Sequence, residues 1–227
     1  MHEEKEMTRT EIKKEFQLER MILFSDAVFA IVITLMAIEI RLPETEHRFK
    51  GAELLHHLKL LIPVIFAYLI SFGFIGTVWY QHLKIFGLLK DYDKGLILRN
   101  LLLLFFVALF PFCVSVVIKS KPDILAYSIY FGAIFICVTI QFALHHYVLI
   151  GNPSLRVNTN LSEHMSELEK KKRGLISLLF VIGLIAITYI IIPDESNKPL
   201  ATLWLLPLAI ISRIYERRLK IKKNDAL

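Results

Sequence analysis

Apolar runs of about 20 residues, separated by short charged segments, recur along the whole chain. A run of that length spans the hydrocarbon core of a bilayer as a helix, because an α-helix rises about 1.5 Å per residue. The pattern therefore predicts an all-α, polytopic membrane protein with six transmembrane helices. We place these helices at residues 21–42, 60–79, 96–118, 124–150, 175–192 and 200–214.

The polar segments between and beside these runs are short, which indicates one transmembrane domain over residues 1–227. This domain includes a charged N-terminal segment, 1–19, and a basic C-terminal tail, 215–227. Prolines lie inside the second and third runs, where we expect kinks. The alternating charges of residues 163–174 predict a short helix outside the membrane that runs into the fifth span.

The distribution of lysine and arginine predicts the orientation of the chain. Of the 27 basic residues, 20 lie in, or within four residues of, the N-terminal segment, the connections between helices two and three and between helices four and five, and the C-terminal tail. Cytoplasmic segments of membrane proteins carry such an excess, so we expect both termini in the cytoplasm. The asymmetry also explains the net charge of +6. The loops are too short to form a folded basic surface for a nucleic acid.

Asp26 is a carboxylate near the start of the first predicted helix. Facing lipid, its charge would cost about 2.5–3.5 kcal/mol, so we expect it to face protein and to have hydrogen-bond donors. The predicted sidedness of the helices puts Ser25, Trp79, His82 and Asn100 at the same depth as Asp26. A network of these side chains would fix the packing of the first three helices. The alternative is a proton or ion relay through Asp26 and His82, as in a proton- or sodium-coupled secondary transporter.

An aliphatic stripe is the second feature of the first predicted helix. At about 100° per residue, five side chains fall on one narrow side of this helix: Phe24, Ile31, Leu35, Ile38 and Leu42. Asp26 falls nearly opposite. Such a stripe packs against another helix, or it lines an oligomeric pore as a hydrophobic constriction. The spacing alone does not choose between these two arrangements.

Sequence motifs for enzyme chemistry and metal binding are missing. The adjacent pairs His56-His57 and His145-His146 point about 100° apart on a helix and belong to opposite sides of the membrane, so they do not share a metal ion. No HExxH or GxSxG motif occurs. We therefore expect no enzyme activity, no bound metal and no cofactor.

The segment ERMILFSDAVFAIVITLMAIEIRLP, residues 19–43, resembles the first helix of the bacterial relatives of the lysosomal potassium channel. That family is marked by an arginine several residues before Phe-Ser-Asp and by an aliphatic run that ends near Glu-Ile. The residues that carry this resemblance are Arg20, Phe24-Ser25-Asp26 and Glu39-Ile40. Those that fit the second and third helices of the family are Trp79, His82, Asn100 and Pro111-Phe112.

The resemblance implies an assembly and a function. It implies a multi-pass protein of the bacterial plasma membrane whose six-helix subunits form a homotetramer, with the first helix of each subunit lining a central pore for potassium ions. It implies a pore constriction formed by Ile31, Leu35 and Ile38. It also implies a structural network of Arg20, Phe24, Ser25, Asp26, Trp79, His82 and Asn100. Aliphatic rings supply no oxygen to replace hydration water, so we expect a hydrophobic gate with weak selectivity over sodium.

Overall fold

The computed structural model describes residues 9–43, 49–120, 124–157 and 161–191. These residues form α-helices joined by short turns, as the apolar pattern predicts. The helices are α1 (Arg9–Ala37), α2 (Gly51–Leu60), α3 (Ile62–Phe86), α4 (Lys94–Ala108), α5 (Phe110–Lys119), α6 (Ile124–His146) and α7 (Leu161–Ile191). A π-helical turn, Tyr147–Gly151, and a 3₁₀ turn, Pro153–Leu155, follow α6.

Four helical stretches in the described part of the chain are long and apolar enough to cross a membrane. They are Ile12–Ala37, Gly51–Phe86, Lys94–Lys119 and Ile124–Gly151, and they contain the first four predicted spans except residues 38–42 of the first. Helix α7 includes both the charged segment 163–174 and the fifth predicted span as far as Ile191, as one continuous helix. The sixth predicted helix and the basic tail lie outside the described residues, so six spans remain a prediction.

Helix α1 differs from its prediction at both ends. It begins at Arg9, because the charged residues before Met21 continue the helix beyond the apolar run. It ends at Ala37 rather than at residue 42. Its last backbone bonds join residues three apart, such as Ile38 N–H to Leu35 C=O at 3.1 Å, which tightens the final turn. Leu42 therefore lies beyond the helix, and its predicted place on the stripe is wrong.

Prolines divide two of the predicted spans, as expected from their missing N–H group. The helix is interrupted at Leu61, between α2 and α3, and Pro63 lies in the first turn of α3. Likewise, Leu109 separates α4 from α5, with Pro111 in the first turn of α5. The second span also ends later than residue 79, because the last turns of α3 bury Ile85 and Phe86 in the core.

Three segments meet at one end of the bundle. A short antiparallel bridge joins Leu89, in the α3–α4 connection, to Arg156, in the α6–α7 connection. The first turns of α1 reach the same place, where Lys14 forms an ion pair with Asp91 at 2.7 Å. The basic connections that the charge distribution groups together are therefore adjacent. We call this the basic end of the bundle.

The apolar core lies where α1 packs against α3 and α4, and where α6 packs against α4, α5 and α7. Its large side chains include Phe29 of α1, Ile75 of α3, Leu96 of α4 and Leu144 of α6, each at most 1% exposed. Because only one side of α1 packs in this core, its other side faces away from the rest of the chain.

Candidate functional site

Helix α1 has two faces of different character. Ser25, Phe29, Val32 and Met36 recur at three- or four-residue spacing and are at most 2% exposed. They form the inner face, which packs on α3 and α4. The outer face carries the predicted constriction residues Ile31 and Leu35, which are 57% and 44% exposed. The third, Ile38, is the first residue after α1; it follows them in the tightened final turn and is 59% exposed.

A buried chain of hydrogen bonds ties the inner face to α3 and α4. The His82 Nε2 atom and the Asn100 Oδ1 atom are 2.9 Å apart. Asn100 donates through Nδ2 to the Ser25 hydroxyl at 2.9 Å, and Ser25 donates to the Met21 carbonyl oxygen at 2.8 Å. His82, Asn100 and Ser25 are at most 1% exposed. The three helices are therefore joined by polar contacts that exclude water.

The direction of this chain identifies the donor atom of His82. The Asn100 Oδ1 atom accepts, so the hydrogen in this contact is on the His82 Nε2 atom, and the second ring nitrogen is Nδ1. That Nδ1 atom is buried without a partner among the described residues. The ring stacks on Phe86, with centroids 3.9 Å apart, and lies near Phe29. These surroundings are apolar and suit a fixed, neutral imidazole.

Asp26 belongs to a separate contact. Trp79 donates its Nε1 hydrogen to the Asp26 Oδ1 atom at 2.9 Å. Asp26 is partly exposed and Trp79 is 38% exposed, so this pair lies at the edge of the packed face rather than inside it. No hydrogen bond in the described part of the chain connects Asp26 with His82. The five polar residues thus form one buried chain and one peripheral pair.

The two remaining residues of the predicted network lie elsewhere. The Arg20 guanidinium group is 5.9 Å from the centre of the Phe16 ring, on the exposed side of α1. Phe24 is 54% exposed and continues the outer face towards the basic end of the bundle. Neither side chain contributes to the buried hydrogen bonds described above.

Between Phe24 and Ile38, the outer face of α1 offers no polar group that is directed away from the helix. Thr34 is exposed, but its hydroxyl donates to backbone carbonyl oxygens of the same helix, Ala30 at 3.1 Å and Ile31 at 2.8 Å. Chemically, this surface can exclude water or pack on another apolar surface. Among the described residues, no group of three histidine, cysteine or acidic side chains is placed to hold a metal ion.

Several contacts between charged groups were not predicted from the sequence. Glu39 pairs with Lys119 at 3.0 Å at the end of the bundle opposite the basic end. Lys84 of α3 pairs with Glu167 of α7 at 2.8 Å. The partners are 80 or more residues apart in the chain, so no local sequence pattern identifies them.

Comparisons with known proteins agree with this architecture. Residues 20–111, which run from α1 into α5, match the family model described as the endosomal/lysosomal potassium channel TMEM175. A potassium channel of Chryseobacterium sp. (strain P1-3) is 27% identical over 189 residues, which cover 81% of this chain and 90% of the relative. A potassium channel of Chamaesiphon minutus is 35% identical over 136 residues, 58% of this chain and 66% of its own length.

Solved structures extend the likeness to nearly the whole chain. The crystal structure of a lysosomal potassium-selective channel TMEM175 homolog from Chamaesiphon minutus is 25% identical, with a TM-score of 0.67 over 88% of this chain and 97% of that one. A variant of the potassium channel MtTMEM175 has the same fold, with 20% identity and a TM-score of 0.59 over 97% of this chain and 96% of that one. The chain is thus similar to members of the TMEM175 family in both sequence and fold.

Proposed function

We propose that this chain is the subunit of a potassium-permeable cation channel, a homotetramer in which four copies of α1 surround a central pore. Its relatives are potassium channels by name, and the family model covers the helices that would build the pore. The permeant ion is potassium, and the channel needs no cofactor. The channel is embedded in the lipid bilayer, and the protein partners of each subunit are copies of the same chain.

The observation that carries this proposal is the outer face of α1. Its inner face is anchored by a buried hydrogen-bond chain, which fixes the direction of the opposite side chains. Ile31, Leu35 and Ile38 then project away from the protomer at roughly one-turn intervals. A single helix does not enclose a pore, whereas four such helices around an axis stack these side chains as three aliphatic rings.

The rings act as a hydrophobic gate in the proposed mechanism. When they touch, a dry constriction opposes any ion, because nothing replaces the hydration shell. When they separate, water enters and partly hydrated potassium passes. Little dehydration is required, so discrimination against sodium is weak. The contacts of Asp26, Ser25, Trp79, His82 and Asn100 are structural and hold α1 in place.

We propose that the channel is in the plasma membrane of a bacterium, with both termini in the cytoplasm. The matched channels come from bacteria, Chryseobacterium and Chamaesiphon. The basic connections and the N-terminal turns of α1 lie together at the basic end of the bundle, as the Lys14–Asp91 and Leu89–Arg156 contacts indicate. Positive charge is retained on the cytoplasmic side.

Reconstituted flux of potassium and sodium, measured in the same liposomes, tests the proposal. We expect passive potassium flux in the unchanged protein and a different rate or selectivity in Leu35→Ala, because that change widens one ring. Leu102→Ala is the matched control. It removes the same atoms from an α4 side chain that is 46% exposed, against 44% for Leu35. Equal flux and selectivity in wild type and Leu35→Ala would contradict the constriction.

The secondary-transporter alternative makes the opposite prediction. Transport would occur only with an imposed proton or sodium gradient, and it would fail in Asp26→Asn and His82→Gln. The absence of a described hydrogen bond between Asp26 and His82 favours the channel. Flux that persists without any coupled gradient would eliminate the transporter.

A further inference from the structure

A cavity of ≈ 630 Å³ lies between α3, α6 and α7, away from the outer face of α1. Its volume is within the range of about 300–1,000 Å³ that is typical of ligand sites. Phe74, Val138 and Leu178 line one part, whereas Lys84 and Lys170 line another. Phe74 and Lys84 are ten residues apart on α3, so the lining extends about 15 Å along the helix axis. The cavity is therefore apolar towards the middle of the predicted span and basic towards the basic end.

The charges around the basic part do not balance. Lys84, Lys170 and Lys171 line the cavity together with one carboxylate, Glu167. That carboxylate is already paired with Lys84 at 2.8 Å. In the described part of the chain, neither Lys170 nor Lys171 has a carboxylate of its own within ion-pair distance. Two amino groups without a carboxylate partner thus face the cavity.

Lys171 is the more constrained of these two groups. The His145 Nδ1 atom is 2.8 Å from the Gln141 carbonyl oxygen, so Nδ1 carries the hydrogen and Nε2 accepts one from Lys171. An ammonium group has three donors, and this contact uses one of them. Burial lowers the pKa of Lys171, which precedes the predicted fifth span, to about 7. Lys84 adds to this effect and Glu167 opposes it.

We propose that the cavity binds one anionic phospholipid, with its phosphate group on Lys170 and Lys171 and an acyl chain along Phe74, Val138 and Leu178. Basic pockets between transmembrane helices, near the membrane surface, are suited to anionic head groups. The whole lining, about 15 Å from Phe74 to Lys84, is half of a hydrocarbon core of about 30 Å, so the cavity fits within one leaflet. A free anion would leave the apolar part unoccupied.

Lipid binding to the purified full-length protein tests this proposal independently of ion conduction. The protein is prepared in a neutral detergent, and retained phosphatidylglycerol and phosphatidylcholine are counted by native mass spectrometry during titration with each lipid. We expect phosphatidylglycerol to bind preferentially at one site per subunit. Lys170→Gln should weaken that binding about fivefold, which corresponds to about 1 kcal/mol per basic residue at a membrane surface.

The matched control is Lys172→Gln, which removes the same charge from an exposed position two residues away that does not line the cavity. It should leave the titration unchanged. Leu178→Trp keeps every charge but fills the apolar part, and it should also weaken binding. Since Lys170 is exposed, its replacement does not threaten folding.

Three results would overturn the proposal. Equal retention of phosphatidylcholine would mean that the charges do not select the lipid. Equal weakening by Lys170→Gln and Lys172→Gln would mean that binding follows net charge rather than the cavity. If inorganic phosphate displaced phosphatidylglycerol completely and Leu178→Trp had no effect on binding, the site would belong to a free anion. A protein that binds lipid as expected but conducts no ions would contradict the channel and leave the lipid site standing.

Discussion

Replacing Asn100 with leucine tests whether the buried hydrogen-bond chain holds α1 against α3 and α4. Asn100 is 1% exposed and is the middle member of the chain. It accepts from His82 and donates to Ser25, with both distances 2.9 Å. Leucine has a similar size and no polar atom, so the substitution removes both hydrogen bonds without opening a large cavity.

The expected cost follows from what each partner loses. The His82 side chain is fully buried, and its Nε2 hydrogen would have no acceptor, at a cost of about 1–3 kcal/mol. Ser25 still donates to the Met21 carbonyl, so the bond that it loses is worth only the mean for hydrogen bonds between membrane helices, about 0.6 kcal/mol. We therefore expect the free energy of unfolding to fall by about 2–4 kcal/mol.

A double variant separates the unpaired donor from other effects. In His82→Phe/Asn100→Leu the orphaned hydrogen is gone, and a phenyl ring can stack on Phe86 as the imidazole does, 3.9 Å between centroids. Replacing both partners by apolar groups is close to neutral when the shapes fit. We expect the double variant to recover about 1 kcal/mol or more relative to Asn100→Leu.

Unfolding in mixed micelles of neutral detergent and dodecyl sulfate, followed by tryptophan fluorescence, measures these differences. Thr139→Val is the control, because this exposed hydroxyl donates only within its own helix, to Phe135 at 2.8 Å. It should unfold as the wild type does. If Asn100→Leu also unfolds as the wild type does, the buried hydrogen-bond chain does not stabilise the packing of α1. If the double variant is no more stable than Asn100→Leu, the unpaired His82 hydrogen is not the cause of the loss.

Two further predictions use the same assay. A Cβ atom on Gly95 would overlap the Tyr147 hydroxyl and lie 2.7 Å from its Cζ atom. Because the Tyr147 hydroxyl is hydrogen-bonded to Asp93 at 2.6 Å, Gly95→Ala should lower the free energy of unfolding by about 1–3 kcal/mol. The control is Gly73→Ala, which should lower it by nothing, because no atom lies within 4 Å of its Cβ position. Equal unfolding midpoints for the two variants would contradict this prediction. The second concerns Lys171, whose pKa of about 7 is below its unfolded value of about 10.4. Between these two pKa values Lys171 is protonated in the unfolded chain and neutral in the folded one. The free energy of unfolding should therefore rise as the pH increases from about 7 to about 10, and it should not change with this group below about pH 7. Lys171→Met should abolish the rise, although His145, Glu167 and Lys84 still face the position.

The sequence is sufficient to predict which polar residues lie at one depth. Ser25, Asp26, Trp79, His82 and Asn100 occupy helix ends that the distribution of basic residues groups together, and the structure brings all five into contact in two sets. How they divide between these sets depends on rotamers and on the angles between helices. Neither quantity is encoded in residue spacing, so the separation of Asp26 from His82 could not be predicted.

The charged part of α7 shows a second limit of prediction from the sequence, which concerns the burial of charged side chains. Alternating acidic and basic residues over 163–174 are typical of a solvated helix, and most of them are exposed. Lys171 and Glu167 are exceptions because α7 packs on α6, which directs that side towards α3. Burial of a lysine depends on tertiary packing, and the surrounding sequence gives no sign of it.

The anchored inner face of α1 also restricts how the proposed gate can open. Thr34 precedes Leu35 by one residue, about 100° around the helix, so bringing its hydroxyl to the pore axis would require a large rotation. Such a rotation would break the Ser25–Asn100 contact, worth about 0.6 kcal/mol. It would also move Phe29 and Met36, each at most 1% exposed, out of the core. We expect the rings to separate by tilting instead, with Ser25 as a pivot about 15 Å from Leu35. Thr34→Val should then leave potassium and sodium fluxes unchanged, and a loss of selectivity in this variant would show that α1 rotates.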